Sequence, residues 1–440
     1  MIFSKLMNHK IFIIIALSFV TSVVYGFWYQ IPPVVDAQAY DRIALNLLSG
    51  NGFREDLTQS FDYDSAMLRA GPGYEFFLAG IYFLFGHHYE AVWIIQALLH
   101  ALTAWFLYKS AIVLWPDKKN IGLIATGVIG FHPDLIEISA MLMTETAYLF
   151  FVAVILYLFI VLMRQRSFFI ASLLGLSLGM GIVLRPPLVL FIPIILLYCF
   201  TKKYWSELLI VVGCIFVLLA PWTIRNYILY ERFIPTTLIG DYNIWIGNRA
   251  NANGGQIASG FNPVTTYVTE HGVRDLSSAS RSAFLSFVLQ TPGEFAKLTM
   301  LRVVRYGSLI RPMGFWFYQT GIPQLIFVVL SGFSIAFLFL FGVAGLFLNI
   351  KNNNATLWYI AALALSAPLP LLITVVESRY RFQIYPFFAL FGAYAFVLMK
   401  ERVSEVRRAL LASVLMLGGL SLIDILFFWN TVFEHVQRFL

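Results

Sequence analysis

The stretch IPQLIFVVLSGFSIAFLFLFGVAGLFL, Ile322 to Leu348, decides the fold class. It carries no charged residue over more than the ~20 positions that a helix needs to cross a hydrocarbon core. A helix in water needs a polar face, and this one has none, so its solvent is lipid. The rest of the chain agrees. Of its 440 residues, 60% are hydrophobic and only 12% charged, about half the charged share of an average soluble domain. The expected fold is therefore all-α: one polytopic transmembrane helical bundle filling 1–440, with about eleven spans and with interfacial helices in a first extracytoplasmic loop.

The formal charge of +7 raises the question of nucleic acid. The basic residues form small groups between apolar runs rather than one stripe, which excludes that reading and makes them topology signals. Cys199 and Cys214 fall in or beside apolar segments, so they support neither a disulfide framework nor a cysteine metal site. Lys5 and Lys10 ahead of the apolar run Ile11 to Trp28 have the build of a signal sequence. No small-residue cleavage site follows it, and the run reads as a retained anchor.

Apolar runs begin near Ile11, Ala91, Asn120, Leu135, Phe168, Leu188, Trp205, Ile322, Ala355, Ile384 and Ala409. With a cytoplasmic N-terminus, alternate loops carry Lys118 and Lys119, Arg164 and Arg166, Lys202 and Lys203, Lys351, and Lys400 with Arg402, Arg407 and Arg408. These loops are short and basic, as the positive-inside rule requires. The runs near Asn120 and Leu188 are short and bounded by His132-Pro133 and Arg185-Pro186-Pro187, so broken helices lining a cavity are expected there. The opposite side receives two large segments, 29–90 and 221–321. In the first, Ala37 to Leu48 repeats apolar residues at helical spacing and should lie along the membrane surface. Tyr74 to Phe85, flanked by Gly71-Pro72-Gly73 and Gly86, is too short to span and reads as interfacial or re-entrant. In the second, Asn248 to Gly260 is Gly-, Asn- and Ser-rich and reads as a loop.

The residues able to carry chemistry cluster on that side. Asp36 follows Pro32-Pro33 and opens the amphipathic stretch with Tyr40, Asp41 and Arg42. It can cap the helix, and a carboxylate held there can also accept the proton of an acceptor hydroxyl. Glu145 sits in an apolar run, where an unpaired carboxylate costs several kcal/mol, so it needs a cation, a metal or a proton. His132, Asp134 and Glu137 leave a metal conceivable, but their spacing matches no defined ligand motif, and no metal ligand is assigned. Arg69, Arg185, Arg225, Arg379 and Arg381 all fall on the non-cytoplasmic side, against the positive-inside bias. Each alone can snorkel to headgroups, but five in proline-punctuated turns point to an anionic ligand. Guanidinium groups hold phosphate oxygens bidentately, so a phosphate or diphosphate headgroup fits. Trp28, Trp222, Tyr227, Tyr242 and Trp245 suit an aromatic belt or sugar-stacking faces.

The ordered string of these pieces resembles the class C membrane glycosyltransferases, in particular the protein O-mannosyltransferases and bacterial lipid A aminoarabinose transferases. The resembling residues are Asp36 to Asp41, Leu48 to Phe53, Arg69 to Tyr74, Thr144-Glu145, Leu184-Arg185-Pro186, Pro221 to Asn226, Gly240 to Asn243 with Gly247-Asn248, and Arg379-Tyr380-Arg381 ahead of Pro386. The resemblance implies an inverting transferase in the bacterial inner membrane that moves a sugar from a polyprenyl-phosphate donor to an acceptor on the extracytoplasmic face. It also implies Asp36 as the catalytic residue, with Arg69, Arg185, Arg225, Arg379 and Arg381 on the donor phosphate. Tyr40, Asp41, Tyr74, Glu145, Asn248 and Tyr380 are then expected to line the cavity. No cofactor is required, although a divalent metal stays open. The family pattern Arg-Pro-Pro-Gly-Tyr-Pro reads here as Arg69-Ala-Gly-Pro-Gly-Tyr74-Glu75, which alters the donor contact. The absence of the large soluble C-terminal domain of some relatives favours a lipid or glycan acceptor over a folded protein. A flippase for a lipid-linked saccharide is the alternative, but it needs gates on both sides, and the unusual polar residues crowd one.

Overall fold

The computed structural model describes residues 2–255, 262–310, 321–352 and 354–429. The end of the expected Gly-rich loop, 256–260, lies outside them, as do residues 311–320 of the second large segment and the side chains of Lys5 and Lys351. Among the described residues every regular element is helical. The α-helices are α1 (Ile2–Tyr29), α2 (Asp36–Leu48), α3 (Pro72–Phe85), α4 (Tyr89–Leu114), α5 (Asn120–Gly130), α6 (Pro133–Ser139), α7 (Glu145–Arg164), α8 (Phe168–Leu184), α9 (Phe191–Thr201) and α10 (Trp205–Tyr230). They continue with α11 (Ile239–Gly247), α12 (Pro263–His271), α13 (Leu276–Gln290), α14 (Pro292–Gly307), α15 (Ile322–Asn352), α16 (Ala355–Ser366), α17 (Tyr385–Leu398) and α18 (Val403–Phe427).

Eight helical stretches are long and apolar enough to cross a membrane, and a ninth arises if α5 and α6 count as one broken span. Two shorter apolar stretches, Phe168–Leu184 and Pro186–Thr201, make up the rest of the eleven expected runs. Pro133 breaks one span, as expected: it lacks an N–H and pushes His132 into an extended conformation, so α5 and α6 meet at 55°. The run expected to start at Leu135 is thus divided, and its crossing part begins at Glu145. α8 and the stretch Pro186–Thr201 are shorter than the other apolar helices because Arg185-Pro186-Pro187 separates them. Pro221, in contrast, does not end α10, which runs on to Tyr230.

α7 is buried nearly all round at the centre of the bundle, as its uniformly apolar sequence requires. α15 lies on α17, where Gly342 and Gly345 face Phe388 and the Phe391 backbone with no room for a Cβ. This close approach is how helices associate where lipid supplies no hydrophobic drive. Large apolar side chains such as Phe12 and Val24 on α1, Phe216 and Val217 on α10, and Leu411 and Leu415 on α18 face outward. A belt of this kind suits lipid and not water.

The two ends of the bundle differ in chemistry. α7 runs ~30 Å from Glu145 to Arg164, and α8 returns to Arg185. Arg164 and Arg166 therefore lie at the end opposite Glu145 and Arg185. At that same basic end, Lys118 pairs with Glu401 just beyond α17, and Arg166 meets Glu207 at 2.6 Å.

The other end is built from the two large segments, which share an apolar cluster including Phe53, Met67, Trp222, Ile246, Val268 and Leu276. Backbone bonds stitch them together: Leu238 N–H to Met67 O and Val273 N–H to Asp62 O, both 2.7 Å. Arg302 on α14 is fully buried and donates to Leu372 O at 2.8 Å, Asn248 Oδ1 at 3.0 Å and Gly247 O at 2.5 Å. Burial alone pulls its pKa down to about 10, still well above neutral pH. Arg302→Met should lower stability by roughly 2–4 kcal/mol, because three buried carbonyl groups lose a charged donor. Thermal unfolding in detergent measures this, and an unchanged midpoint would contradict it.

Candidate active site

Asp36 is the first residue of α2. Val35 before it has φ 51° and is exposed, an unfavourable left-handed conformation for a β-branched residue. The surrounding structure thus holds the chain in a strained turn where the carboxylate emerges. Its side chain does not cap the helix. It accepts from Arg379 Nη2 at 2.9 Å and from Arg69 Nη1 at 3.3 Å. Burial acts to raise the Asp36 pKa, but the guanidiniums of Arg379, Arg69 and Arg185 outweigh it and hold the carboxyl below its usual value. Tyr40, one turn on, is buried with its ring edge on Tyr74 at 5.4 Å. Burial and then the Asp36 charge push its phenol far up, so it stays protonated.

Arg69 is aimed by a rigid approach. Asp64 caps the short 3₁₀ helix Ser65–Leu68 and also takes the N–H groups of Glu55 and Asp56. Glu55 then grips Arg69 through Nε at 2.8 Å and Nη2 at 2.6 Å. Two residues after Arg69, Gly71 lies on the Val183 and Leu184 carbonyl oxygens with no space for a Cβ. This contact fixes Arg69 against the C-terminus of α8, from which Arg185 projects. Gly71→Ala should separate the two arginines and cost about 2 kcal/mol or more by overpacking. Thermal unfolding again reads the effect, and a wild-type midpoint would rule out a tight contact.

Glu145, buried at the start of α7, bonds Arg185 Nη1 at 2.5 Å and lies 3.8 Å from Arg379 Nη1. Thr144 Oγ1 accepts from the same Arg185 nitrogen at 3.2 Å. The Arg185 guanidinium also faces the rings of Tyr148 and Tyr380, at 5.6 and 5.5 Å. Glu377 holds Arg379 Nε at 3.2 Å. Burial raises the Glu377 pKa although Arg379 opposes it. Four carboxylates and three guanidiniums thus interlock, which is how charges this deep remain tolerable. Among the described residues, Nε and Nη2 of Arg185 and Nη1 of Arg379 have no hydrogen-bond partner. These are donors available to an anion.

The cluster forms the floor of a cavity of about 890 Å³ lined by Asp36, Tyr40, Arg69, Glu145, Arg185, Arg379 and Tyr380. Five other expected site residues are placed elsewhere. Arg225, carried on α10 because Pro221 does not end that helix, sits between the rings of Phe53, Phe61, Trp222 and Tyr230 and donates to Asn226 at 2.9 Å. Arg381 is buried, donates to Ser308 O at 2.6 Å and packs on Phe339. The 3₁₀ turn Ser378–Ile384 points it away from Arg379. Asp41 accepts from Tyr82 at 2.6 Å and Tyr89 at 3.0 Å, binding α2 to α3 and α4. Tyr74 donates to Gln96 at 2.8 Å, and Asn248 serves Arg302.

Glu55, Glu377 and Tyr148 escaped the sequence reading. Glu377 stands two residues from Arg379, and that short acidic-basic spacing was the available signal. Glu55 lies in an irregular loop with no periodicity to mark it. Glu75, the residue in place of the family's proline, is fully buried, and neither carboxyl oxygen has a hydrogen-bond partner among the described residues. Burial pushes its pKa up to about 8. A carboxyl raised in the folded state supports stability below its ordinary value of 4.5 and loses that support as pH rises to about 8. Glu75→Gln should therefore match wild type in thermal stability at acidic pH and exceed it above pH 8; equal melting at every pH would refute a buried neutral acid. No group of three or more His, Cys, Asp or Glu able to hold a metal ion occurs among the described residues.

Residues 69–224 match the family model described as dolichyl-phosphate-mannose-protein mannosyltransferase. Among curated proteins, none matches the sequence. In solved structures the chain is similar to the oligosaccharyltransferase of Archaeoglobus fulgidus in its apo form, at 12% identity and a TM-score of 0.52 over 95% of this chain and 56% of that one. The same enzyme tethered to an acceptor peptide containing the NVT sequon aligns at 12% identity and 0.50, over 95% and 55%. ArnT from Cupriavidus metallidurans bound to undecaprenyl phosphate aligns at 14% identity over 88% of this chain and 78% of that one, with a TM-score of 0.38. The chain spans little more than half the length of the archaeal structures. The family match thus covers residues 69–224, and the fold of the whole bundle is like that of the archaeal oligosaccharyltransferase.

Proposed function

We propose that the chain transfers a sugar from a polyprenyl-phosphate donor to an acceptor hydroxyl, with inversion, on the extracytoplasmic face. The observation that carries this is one carboxylate, Asp36, held 2.9 Å from Arg379 in a cavity that Arg185 and Arg69 share. The matching family model is named for a dolichyl-phosphate donor, which is a polyprenyl-type phosphate. Basic loops gathered at the far end of the bundle support the extracytoplasmic placement.

In this mechanism the acceptor oxygen attacks the anomeric carbon from the face opposite the phosphate. The carbon–oxygen bond to phosphate breaks, and its electron pair stays on the phosphate oxygen. Arg185 and Arg379 stabilise that developing charge through their uncommitted donors. No acid is needed, because a phosphate monoester leaves once cations take up its charge. The acceptor proton passes to Asp36. A carboxyl held below its usual pKa is ionised at neutral pH and takes the proton late, as the new bond forms.

Proteoliposomes supplied with polyprenyl-phosphate sugars test the reading. Transfer releases free lipid phosphate and yields a product whose anomeric configuration is the reverse of the donor's. Movement of intact donor lipid across the bilayer without a change of mass would instead show a flippase.

A further inference from the structure

The floor of the cavity and its outer wall differ in chemistry. All the cations of the cavity lie on the floor, beside Asp36 and Glu145. The outer wall is supplied by the two large segments: Gln59 and Tyr63 from the first, and Tyr242, Asn243, Thr265 and Thr269 from the second. Each is an uncharged side chain with a hydroxyl, phenol or amide. The single charge there, Asp56, is exposed, and its Oδ1 is already taken by the N–H of Thr58 at 2.9 Å and its hydroxyl at 2.7 Å. A third wall, including Val189, Leu190, Leu369 and Ile373, is apolar.

From this partition we infer that the outer wall is an acceptor subsite for an uncharged, hydroxyl-rich glycan. The inference rests on the function proposed above and names the acceptor of that site. One buried group there lacks a partner: Asn243 Oδ1 has no hydrogen bond among the described residues. That oxygen is closed to the cavity, so the lining side chain meets a sugar hydroxyl through its amide N–H instead. Tyr242 accepts from Asn262 Nδ2 at 2.9 Å, which leaves its own phenolic proton to donate. The rings of Tyr63 and Tyr242 suit the apolar face of a pyranose. A phosphorylated acceptor finds no cation on this wall, and the arginines below are engaged with carboxylates and, in the proposed reaction, with the donor phosphate. A peptide bound by strand addition finds no strand edge among the described residues.

The protein in phosphatidylcholine nanodiscs, preloaded with polyprenyl phosphate so that the arginine donors are occupied and then titrated with neutral hexose and N-acetylhexosamine oligosaccharides, their phosphorylated forms and a Ser/Thr-rich peptide, decides the matter. The neutral glycan should bind at least about tenfold more tightly than its phosphorylated form. Asn243→Leu should weaken it by about tenfold. Arginines at the exposed positions, in Thr265→Arg and Thr269→Arg, should reverse the preference while melting stays unchanged. Comparing a free oligosaccharide with the same glycan on a lipid separates a soluble from a membrane-bound acceptor. Equal or tighter binding of the phosphorylated glycan, displacement by the peptide, or no binding of any neutral glycan would overturn the inference. Polyprenyl phosphate is itself titrated at the loading step: if it binds while the glycan preference fails, only the acceptor assignment falls, and if it does not bind, the proposed function falls.

Discussion

Asp36→Asn should reduce sugar transfer by about 10³-fold, within the range that a positioned base contributes, while the protein still inserts and folds. The amide keeps the shape of the carboxyl but cannot take the acceptor proton at neutral pH. Folding should survive, because Arg69 keeps Glu55 and Arg379 keeps Glu377. In wild type, the rate should be flat across neutral pH and fall only as pH drops below the usual 3.8 of a free Asp, since the arginines hold Asp36 lower. The stability that Asp36 draws from its partners follows the same direction: it is complete above that value and lost on further acidification. Initial rates from pH 3 to 8 check both points, and wild-type turnover by the Asn variant would remove Asp36 from the chemistry.

Arg379→Ala is expected to be the most damaging single change to stability. Arg379 touches Asp36 at 2.9 Å, Glu377 at 3.2 Å and Glu145 at 3.8 Å, and its side chain is mostly buried. Removing it leaves three carboxylates facing one another, a loss of order 3–5 kcal/mol for a broken buried pair. Part of that cost should return when Asp36→Asn is added, because the double variant buries one charge fewer. Donor affinity should fall at least about tenfold with it, as one of the two arginines with uncommitted donors is gone. A thermal-unfolding cycle over the two single variants and the double measures the coupling, and strictly additive losses would mean that the ion pair contributes nothing.

The fold class was readable from runs such as Ile322 to Leu348, because lipid demands continuous apolarity and tolerates little else. The span count was less readable. Length alone does not show that Pro133 bends one run by 55° while Pro221 leaves α10 intact, since that depends on what packs around each proline. Asp36, Arg69, Glu145, Arg185 and Arg379 could be singled out because each is a charge where apolar or positive-inside patterning forbids one. Arg225 and Arg381 look the same by that rule, yet one is boxed by aromatic rings and the other buried beside Ser308. Direction around a helix or a 3₁₀ turn separates these arginines from those on the cavity, and sequence spacing does not reveal it. Glu55 illustrates the opposite failure: its partner Arg69 lies fourteen residues on, across an irregular loop.

An arginine cluster that seats a lipid phosphate above Asp36 will hold it there in a structure determined with bound polyprenyl phosphate. Density for the phosphate is expected within hydrogen-bonding reach of Arg185 and Arg379, with the first isoprene units along the wall of Val189 and Leu369. A phosphate bound at the basic end near Lys118 and Arg166, or one resting against Arg225 or Arg381 instead, would contradict it.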